Sequence, residues 1–305
     1  MNVFLSDLNE SWVVDRFRED WYSHNADIST NDIRNSDIIW IISPWVWKKL
    51  SKKMLSKKVV ICSIYHIDFK SFDEKDFYKR DQYVDLYHVI SEHTREQLEK
   101  LTIKKIISIP FWVNSEIFKK LNNTDLIRKK FGFEEDEYLI GSFQRDSEGK
   151  DTSLPKLIKG PDIFFKIVRN LHVENRKIRV VLTGKRRDYL ITRLKEAGIP
   201  YKYFEMASLT EINELYNILN IYIVSSRIEG GPQSIVECAI SETPIVSTNV
   251  GIAPEILNKT SIYENTESFK SAKPDIKFAF NKASKLAIPT GMQKFRDMFE
   301  ENFES

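Results

Sequence analysis

Residues 225–257 read SSRIEGGPQSIVECAISETPIVSTNVGIAPEIL, and the apolar run Ile221–Val224 stands directly before them. That order is strand, polar turn, glycine pair, then an apolar pattern of helical period. Gly230 and Gly231 let a backbone approach a ligand closely. Pro232 is expected as the first helical residue, where its missing N–H costs nothing. A helix that starts beyond a strand's carboxyl end offers free N–H groups and the positive end of its dipole to an anion, and a diphosphate suits that place. Two acids flank the helix start. Glu229 precedes it, and Glu237 lies about five residues inside, a rise of roughly 7.5 Å. A carboxylate accepts hydrogen bonds from a vicinal diol. Glu237 therefore suits ribose hydroxyls, and Glu229 suits those of a sugar beyond the diphosphate. An exposed helix with an ordinary glycine turn has the same spacing, so spacing alone does not decide.

Working outward, short β-branched runs alternate with amphipathic stretches. Strands are expected at residues 3–5, 38–42, 59–64, 86–90, 105–109, 138–143, 179–183, 201–204, 221–224, 244–247 and 261–263. Helices are expected at 12–22, 94–100, 162–171, 190–197, 211–219 and 234–240. Runs that are apolar throughout fit strands buried on both faces of a parallel sheet. The alternation predicts an α/β fold of doubly wound units. Two Rossmann-like domains facing a cleft are expected. Residues 1–112 are expected to form an N-terminal domain and residues 113–288 a C-terminal one. Residues 289–305, with Met292, Phe295, Met298, Phe299 and Phe303 at helical spacing, form a closing helix that crosses back to the first domain or packs on the second.

Composition narrows the classes. The chain has 305 residues, 42% hydrophobic and 30% charged, with a formal charge of +2. That excludes a disordered chain and argues against a nucleic-acid-binding role. Cys62 and Cys238 sit in apolar patterns and read as buried thiols in a reducing compartment. The opening MNVFLSDLNE does not read as a secretory signal, and no apolar run reaches membrane-spanning length. A cytoplasmic location is expected, with the inner face of a membrane as a peripheral site.

At this point the chain resembles a known family. Glu229 and Glu237, with seven residues between them, match the two-glutamate motif of retaining GT-B glycosyltransferases of the family-four, or group 1, type. Ser226, Gly230, Ala239, Pro244, Val246, Thr248, Gly251 and Glu255 stand where that pattern expects them. Glu-Gly-Gly-Pro replaces the usual Glu-Gly-Phe-Gly. Residues 87–98 (YHVISEHTREQL) and 109–118 (IPFWVNSEIF) resemble the strand, helix and linker of that family, with Trp112 and Asn114 as departures. Residues 140–162 resemble its Arg…Lys-Gly phosphate-binding stretch, although thirteen residues separate Arg145 from Lys159 and include Lys150 and Lys156.

The resemblance implies a GT-B fold and an enzyme that moves a hexose-type sugar from a UDP- or GDP-linked donor to an acceptor hydroxyl, a glycan or a lipid-linked sugar among the candidates, with retention of anomeric configuration. It implies the acceptor side for residues 1–112 and nucleotide-sugar binding for residues 113–288. It implies Glu229, Arg145, Lys159 and His66 as catalytic residues. It places Gly230, Gly231, Pro232, Gln233, Ser234, Glu237, Gly184, Lys185 and Met206 around the donor. No cofactor and no metal are implied, and no Asp-x-Asp sequence is present. Residues 7–11 replace the family's glycine-rich acceptor loop, so a reduced N-terminal domain is expected. A catalytically inactive sugar-nucleotide-binding subunit and a GT-B epimerase are the alternatives.

Other residues keep two readings. His66 follows the strand at 59–64 and is either a sugar-side residue or a surface turn residue, with Asp68 as a weaker companion. His88 reads as a core or edge residue, His93 as part of a helix start, and His24 and His172 as solvent-side. Residues 44–58, PWVWKKLSKKMLSKK, carry Trp45, Trp47 and six lysines between Lys48 and Lys58. They read as an ordinary helix with Val46, Leu50 and Met54 inward, or as a patch for anionic lipid headgroups.

Overall fold

The computed structural model describes residues 1–7, 13–149 and 152–303. Trp12, residues 8–11 and Lys150, which enter the readings above, lie outside them. The chain runs β1 (Val3–Leu5), α1 (Val13–His24), β2 (Ile38–Ile41), α2 (Lys52–Leu55), β3 (Val59–Ile64), α3 (Glu74–Asp81), β4 (Leu86–Val89), α4 (Glu92–Leu98) and β5 (Lys105–Ser108). It continues with α5 (Thr124–Lys130), β6 (Tyr138–Ser142), α6 (Pro161–Glu174), β7 (Ile178–Thr183), α7 (Asp188–Glu196), β8 (Tyr201–Phe204), α8 (Leu209–Ile218), β9 (Ile221–Val224) and α9 (Gln233–Ile240). Last come β10 (Ile245–Thr248), α10 (Ala253–Ile256), β11 (Ile262–Tyr263), α11 (Ile276–Ala283) and α12 (Thr290–Phe303). No helix among the described residues is long and apolar enough to cross a membrane.

Two compact units result, Met1–Asn114 with Lys285–Ser305, and Ser115–Ser284. In the first, five parallel strands stand in the order β1-β2-β3-β4-β5. Alternation along β2, β3 and β4 sends Trp40, Ser63 and His88 to one face. There α1, α12 and the segment after β5 meet them. Trp40 packs on Trp21 of α1 at 5.7 Å and on Phe295 and Phe299 of α12 at 5.4 and 5.2 Å. Phe111 stacks on Phe295 at 5.6 Å. On the opposite face Tyr87 stacks on Phe77 of α3 at 5.8 Å. Met292, Phe295, Met298 and Phe299 are thus part of the first unit's core. Backbone bonds fix the return of the chain: Val113 N–H donates to Leu286 O (2.9 Å) and Ile288 N–H to Val113 O (3.0 Å).

The two linker departures have one explanation. The indole of Trp112 and the amide of Asn114 both donate to the carboxylate of Asp20, at 3.3 and 3.2 Å. Burial pushes the Asp20 carboxyl up, and these two donors pull it back. His88 is fully buried, and its network closes completely. Trp40 Nε1–H donates to Ser63 Oγ (2.8 Å), Ser63 pairs with His88 Nδ1 (2.8 Å), and His88 Nε2 meets Ile109 O (2.7 Å). The last contact needs a proton on Nε2, so Nδ1 accepts from Ser63.

In the second unit the order is β11-β10-β9-β6-β7-β8, all parallel. The chain moves outward from β6 through β7 to β8, then returns to place β9 on the other side of β6. That reversal is a topological switch point, and open α/β sheets bind ligands outside the carboxyl ends of the strands there. The stripe Phe164, Ile167, Val168 of α6 and the runs of β6, β7, β9 and β10 fill the core.

Three local expectations need correction. Residues 44–58 do not form one helix. A 3-10 segment, Pro44–Lys49, is separated from α2 by Leu50, whose extended backbone (φ −87°, ψ 147°) breaks the turn. His172 is buried rather than solvent-side, because it continues the 164–168 stripe at i+4 spacing. Pro232 caps α9 instead of opening it: its φ of −56° is helical but its ψ of 109° is extended.

Candidate functional site

Three loops leave the carboxyl ends of β6, β9 and β10. Register pairs Ile140 with Ile221 and Gly141 with Tyr222, so the loops after β6 and β9 emerge side by side. Their backbones are tied together. Arg227 and Ile228 N–H both donate to Ile158 O (2.8 and 3.1 Å), and Ser225 Oγ–H donates to Gly160 O (2.8 Å). Gln144 braces the join, donating from Nε2 to Lys159 O and accepting at Oε1 from Ser226 Oγ, both at 3.2 Å. Arg227 adds a paired contact to Asp162 at 2.6–2.7 Å.

Glycine is required at two of these contacts. Gly160 has φ +62°, and a Cβ there would lie 1.7 Å from Ser225 O. Gly251, with φ +50° in the loop after β10, would carry a Cβ 2.1 Å from Gly230 O and 2.8 Å from Glu229 O. Both pair a left-handed backbone with no room for a side chain. Gly160 directly follows Lys159, and Gly251 lies against the backbone of Glu229 and Gly230; Lys159 Nζ ion-pairs with Glu229 Oε1.

Positive charge gathers beside this pair. Arg145 is exposed and donates from Nε to Ser147 O (2.8 Å). Burial and the neighbouring Arg186 hold its guanidinium below the ordinary arginine value. Lys156 is half-buried, and its ammonium is held below the usual lysine value by burial, then by Arg145 and Lys159. Behind the loop, Arg187 ion-pairs with Asp146 (2.9 Å), with side chains 0% and 2% exposed. Burial works against charge on both groups, and each partner opposes that shift. Arg187 also donates to Gln144 O.

Glu237, in α9, is 6% exposed and accepts from Tyr216 O–H at 2.9 Å. Tyr216 stacks on Phe143 at 5.0 Å. Ser234 hydrogen-bonds Tyr222, whose hydroxyl accepts from Phe143 N–H at 3.0 Å. The structure thus brings together Lys159, Glu229 and Gly230, with Arg145 alongside, and Gly231, Pro232, Gln233 and Ser234 follow Glu229 into α9. Gly184 (φ +81°), Lys185 and Met206 lie on the next loops, after β7 and β8. Gly184 O accepts from Tyr203 O–H (2.9 Å), while Met206 is 72% exposed. No hydrogen bond among the described residues joins those three to the Lys159–Glu229 pair. His66 stands after β3 in the first unit.

Sequence reasoning missed Gln144, Asp146, Arg187 and Tyr216. Arg187 is the last of three consecutive basic residues, and nothing in KRR marks which one turns inward. Gln144 had one usable signal, its place beside Arg145 at a strand end.

The 44–58 segment exposes Trp45 (43%) and Lys48, Lys49, Lys52, Lys53 and Lys57. Trp47 is buried and donates to Asp76 at 3.2 Å, and Lys48 pairs with the same carboxylate at 2.7 Å.

Residues 123–276, half of the chain, match the model of the family described as glycosyl transferases group 1. No curated protein matches the sequence. Among solved structures, Anabaena HepE in complex with UDP and glucose superposes with a TM-score of 0.75 at 12% identity, over 98% of this chain and 99% of that one. Sucrose-phosphate synthase from Thermosynechococcus elongatus gives 0.71 at 12% identity, over 98% and 81%. A glycosyltransferase from Rickettsia africae gives 0.64 at 16% identity, over 97% and 83%.

Proposed function

The chain belongs to the glycosyl transferases group 1 family and has the GT-B fold; from that premise we propose that it moves a hexose from a UDP-linked donor to an acceptor hydroxyl with retention of configuration. The observation that carries this reading is the Lys159–Glu229 pair at the switch point of the second unit. UDP is preferred over GDP because the HepE neighbour is described with UDP and with UDP-glucose.

In the proposed reaction the bond between the anomeric carbon and the β-phosphate oxygen breaks. The acceptor oxygen bonds to the same face of that carbon, and the acceptor proton passes to the departing diphosphate. Negative charge grows on the leaving oxygen. Arg145 and Lys159 supply fixed positive charge for it, aided by the start of α9. Glu229 shares Lys159 with the diphosphate and accepts from hydroxyls of the transferred sugar. Glu237 accepts from the ribose, and Tyr216 holds its other oxygen. Gly184, Lys185 and Met206 line the donor's outer side, Met206 near the base. His66 serves the acceptor side in the first unit. Transfer is metal-independent in this scheme, since side-chain cations take the metal's task. Turnover that stops on chelation and returns with a divalent ion would refute that part.

A peripheral contact with anionic lipid through Trp45 and the exposed lysines is part of the proposal. Charge and an interfacial tryptophan support it. Failure to sediment with anionic liposomes removes it.

The central test is a thermal-shift and calorimetric screen of nucleotide sugars. UDP-hexose at 100 times its dissociation constant adds about 2.7 kcal/mol of stability. Donor hydrolysis should disappear in Glu229→Ala and Arg145→Ala while the fold persists. Absence of any shift with every nucleoside diphosphate refutes the reading, and folded variants that hydrolyse at the wild-type rate refute the residue roles.

A further inference from the structure

Between Arg145 and Lys159 the chain doubles back on itself. Ser147 and Pro155 form an antiparallel bridge, and Glu148 N–H donates to Leu154 O at 3.2 Å. Lys156 N–H then donates to Asp146 O at 2.7 Å, which sets Lys156 across from the residue next to Arg145. One 3-10 turn follows, with Lys159 N–H on Lys156 O at 2.8 Å, and it delivers Lys159 to Glu229. The buried Arg187–Asp146 pair anchors the base of the excursion. The described residues at the two ends of this stretch thus bring Arg145, Lys156 and Lys159 to one side of the site.

The three are not equally satisfied. Lys159 has Glu229. Arg145 donates to a carbonyl. Lys156 is half-buried, and no ion pair among the described residues takes up its ammonium. The charges acting on Lys156 and Arg145 are Lys159, Arg186, Glu148 and Glu229. With their own two charges, that makes four cations against two carboxylates among the described residues. An excess of two positive charges matches the charge of a nucleotide sugar's diphosphate. Holding an ammonium half out of water beside other cations is unfavourable unless an anion completes the group.

We infer that Lys156 is a third phosphate-binding cation of the donor site, contributed by the insertion between Arg145 and Lys159, and that its ligand is the diphosphate of the nucleotide sugar. This rests on the donor reading above. Lys156 adds affinity for phosphate without touching the nucleoside.

Calorimetry with UDP and ligand-observed NMR with uridine separate the outcomes. Lys156→Gln should bind UDP about tenfold more weakly, the scale of one lost charge-assisted hydrogen bond. Uridine binding should be unchanged, and Lys156→Arg should recover most of the UDP affinity. Equal UDP affinity in wild type and a folded Lys156→Gln overturns the assignment alone. Parallel weakening of UDP and uridine also overturns it, because a merely structural lysine acts on both. Wild-type protein that binds no nucleoside diphosphate overturns the donor reading, and this assignment with it.

Discussion

Two glycines of the second unit share a backbone conformation and differ in everything else. Gly160 has φ +62° and Gly198 has φ +63°. A Cβ at Gly198 would meet nothing within 4 Å, whereas at Gly160 it would lie 1.7 Å from Ser225 O and 2.7 Å from its carbonyl carbon. Alanine at either site incurs the left-handed strain of an L-residue, about 1–2 kcal/mol. At Gly160 the backbone must also separate by more than an ångström, at the overpacking cost of about 1–3 kcal/mol. The bonds from Ser225, Arg227 and Ile228 that cross this join loosen as well. Gly160→Ala should therefore be less stable than Gly198→Ala by roughly 2–3 kcal/mol. For a domain of this size that is about 5–10 °C in Tm. The same displacement moves Lys159 away from Glu229, so UDP affinity should fall in Gly160→Ala and hold in Gly198→Ala. Melting curves and UDP calorimetry on both variants make the comparison. Equal Tm losses, or wild-type UDP affinity in Gly160→Ala, would show that the close approach does not position the site.

Stability should depend on His88 below neutral pH. Burial lowers its folded pKa from 6.5 to about 4, so the unfolded chain binds a proton between those values that the native protein refuses. Stability is full above pH 6.5 and falls as pH drops towards 4, by about 2 kcal/mol between pH 7.5 and 5. Denaturant titrations of wild type and His88→Gln should show a shallower acid slope in the variant, and identical slopes count against the neutral-core assignment. Arg187→Met leaves Asp146 buried without its partner and should cost about 3–5 kcal/mol, most of it recovered in the Asp146→Leu/Arg187→Met double variant. A single variant within 1 kcal/mol of wild type contradicts the buried pair. Phe295→Ala should remove about 3–5 kcal/mol from the first unit. Tryptophan fluorescence reads this directly, since Trp40 and Trp112 contact that ring at 5.4 and 5.1 Å.

The sheets were legible because a buried parallel strand has few acceptable sequences. VVICSI of β3 and IYIV of β9 leave no polar face to hide, and bounds read from such runs match the structure within a residue. Amphipathic stretches misled where a turn intervened. Residues 44–58 have an apolar stripe at helical spacing, yet Val46 and Trp47 are buried as neighbours and the helix is interrupted at Leu50. The Glu229–Glu237 spacing pointed to α9, while the partners that hold those carboxylates, Lys159 and Tyr216, lie 70 and 21 residues away. Such contacts are set by strand order. Periodicity reports what one segment does and is silent on which loops the reversal at β6 brings together. Lys159 was readable only through the glycine after it, and Gly160 takes its meaning from Ser225.

The first unit has a further consequence for how the chain comes into being. Translation delivers residues in order, and domains tend to fold as they emerge. Trp21 and Trp40 are made early, but their partners Phe295 and Phe299 come almost last. All of Ser115–Ser284 is synthesised in between. The nascent first sheet therefore lacks the α12 cover of its aromatic face, with only α1 and the segment after β5 in place, while the second unit acquires all its parts. The unit begun first is the one finished last. A ribosome stalled with residue 284 exposed should carry a protease-resistant second unit beside a protease-sensitive first, and protection of the first before α12 emerges would disprove this order.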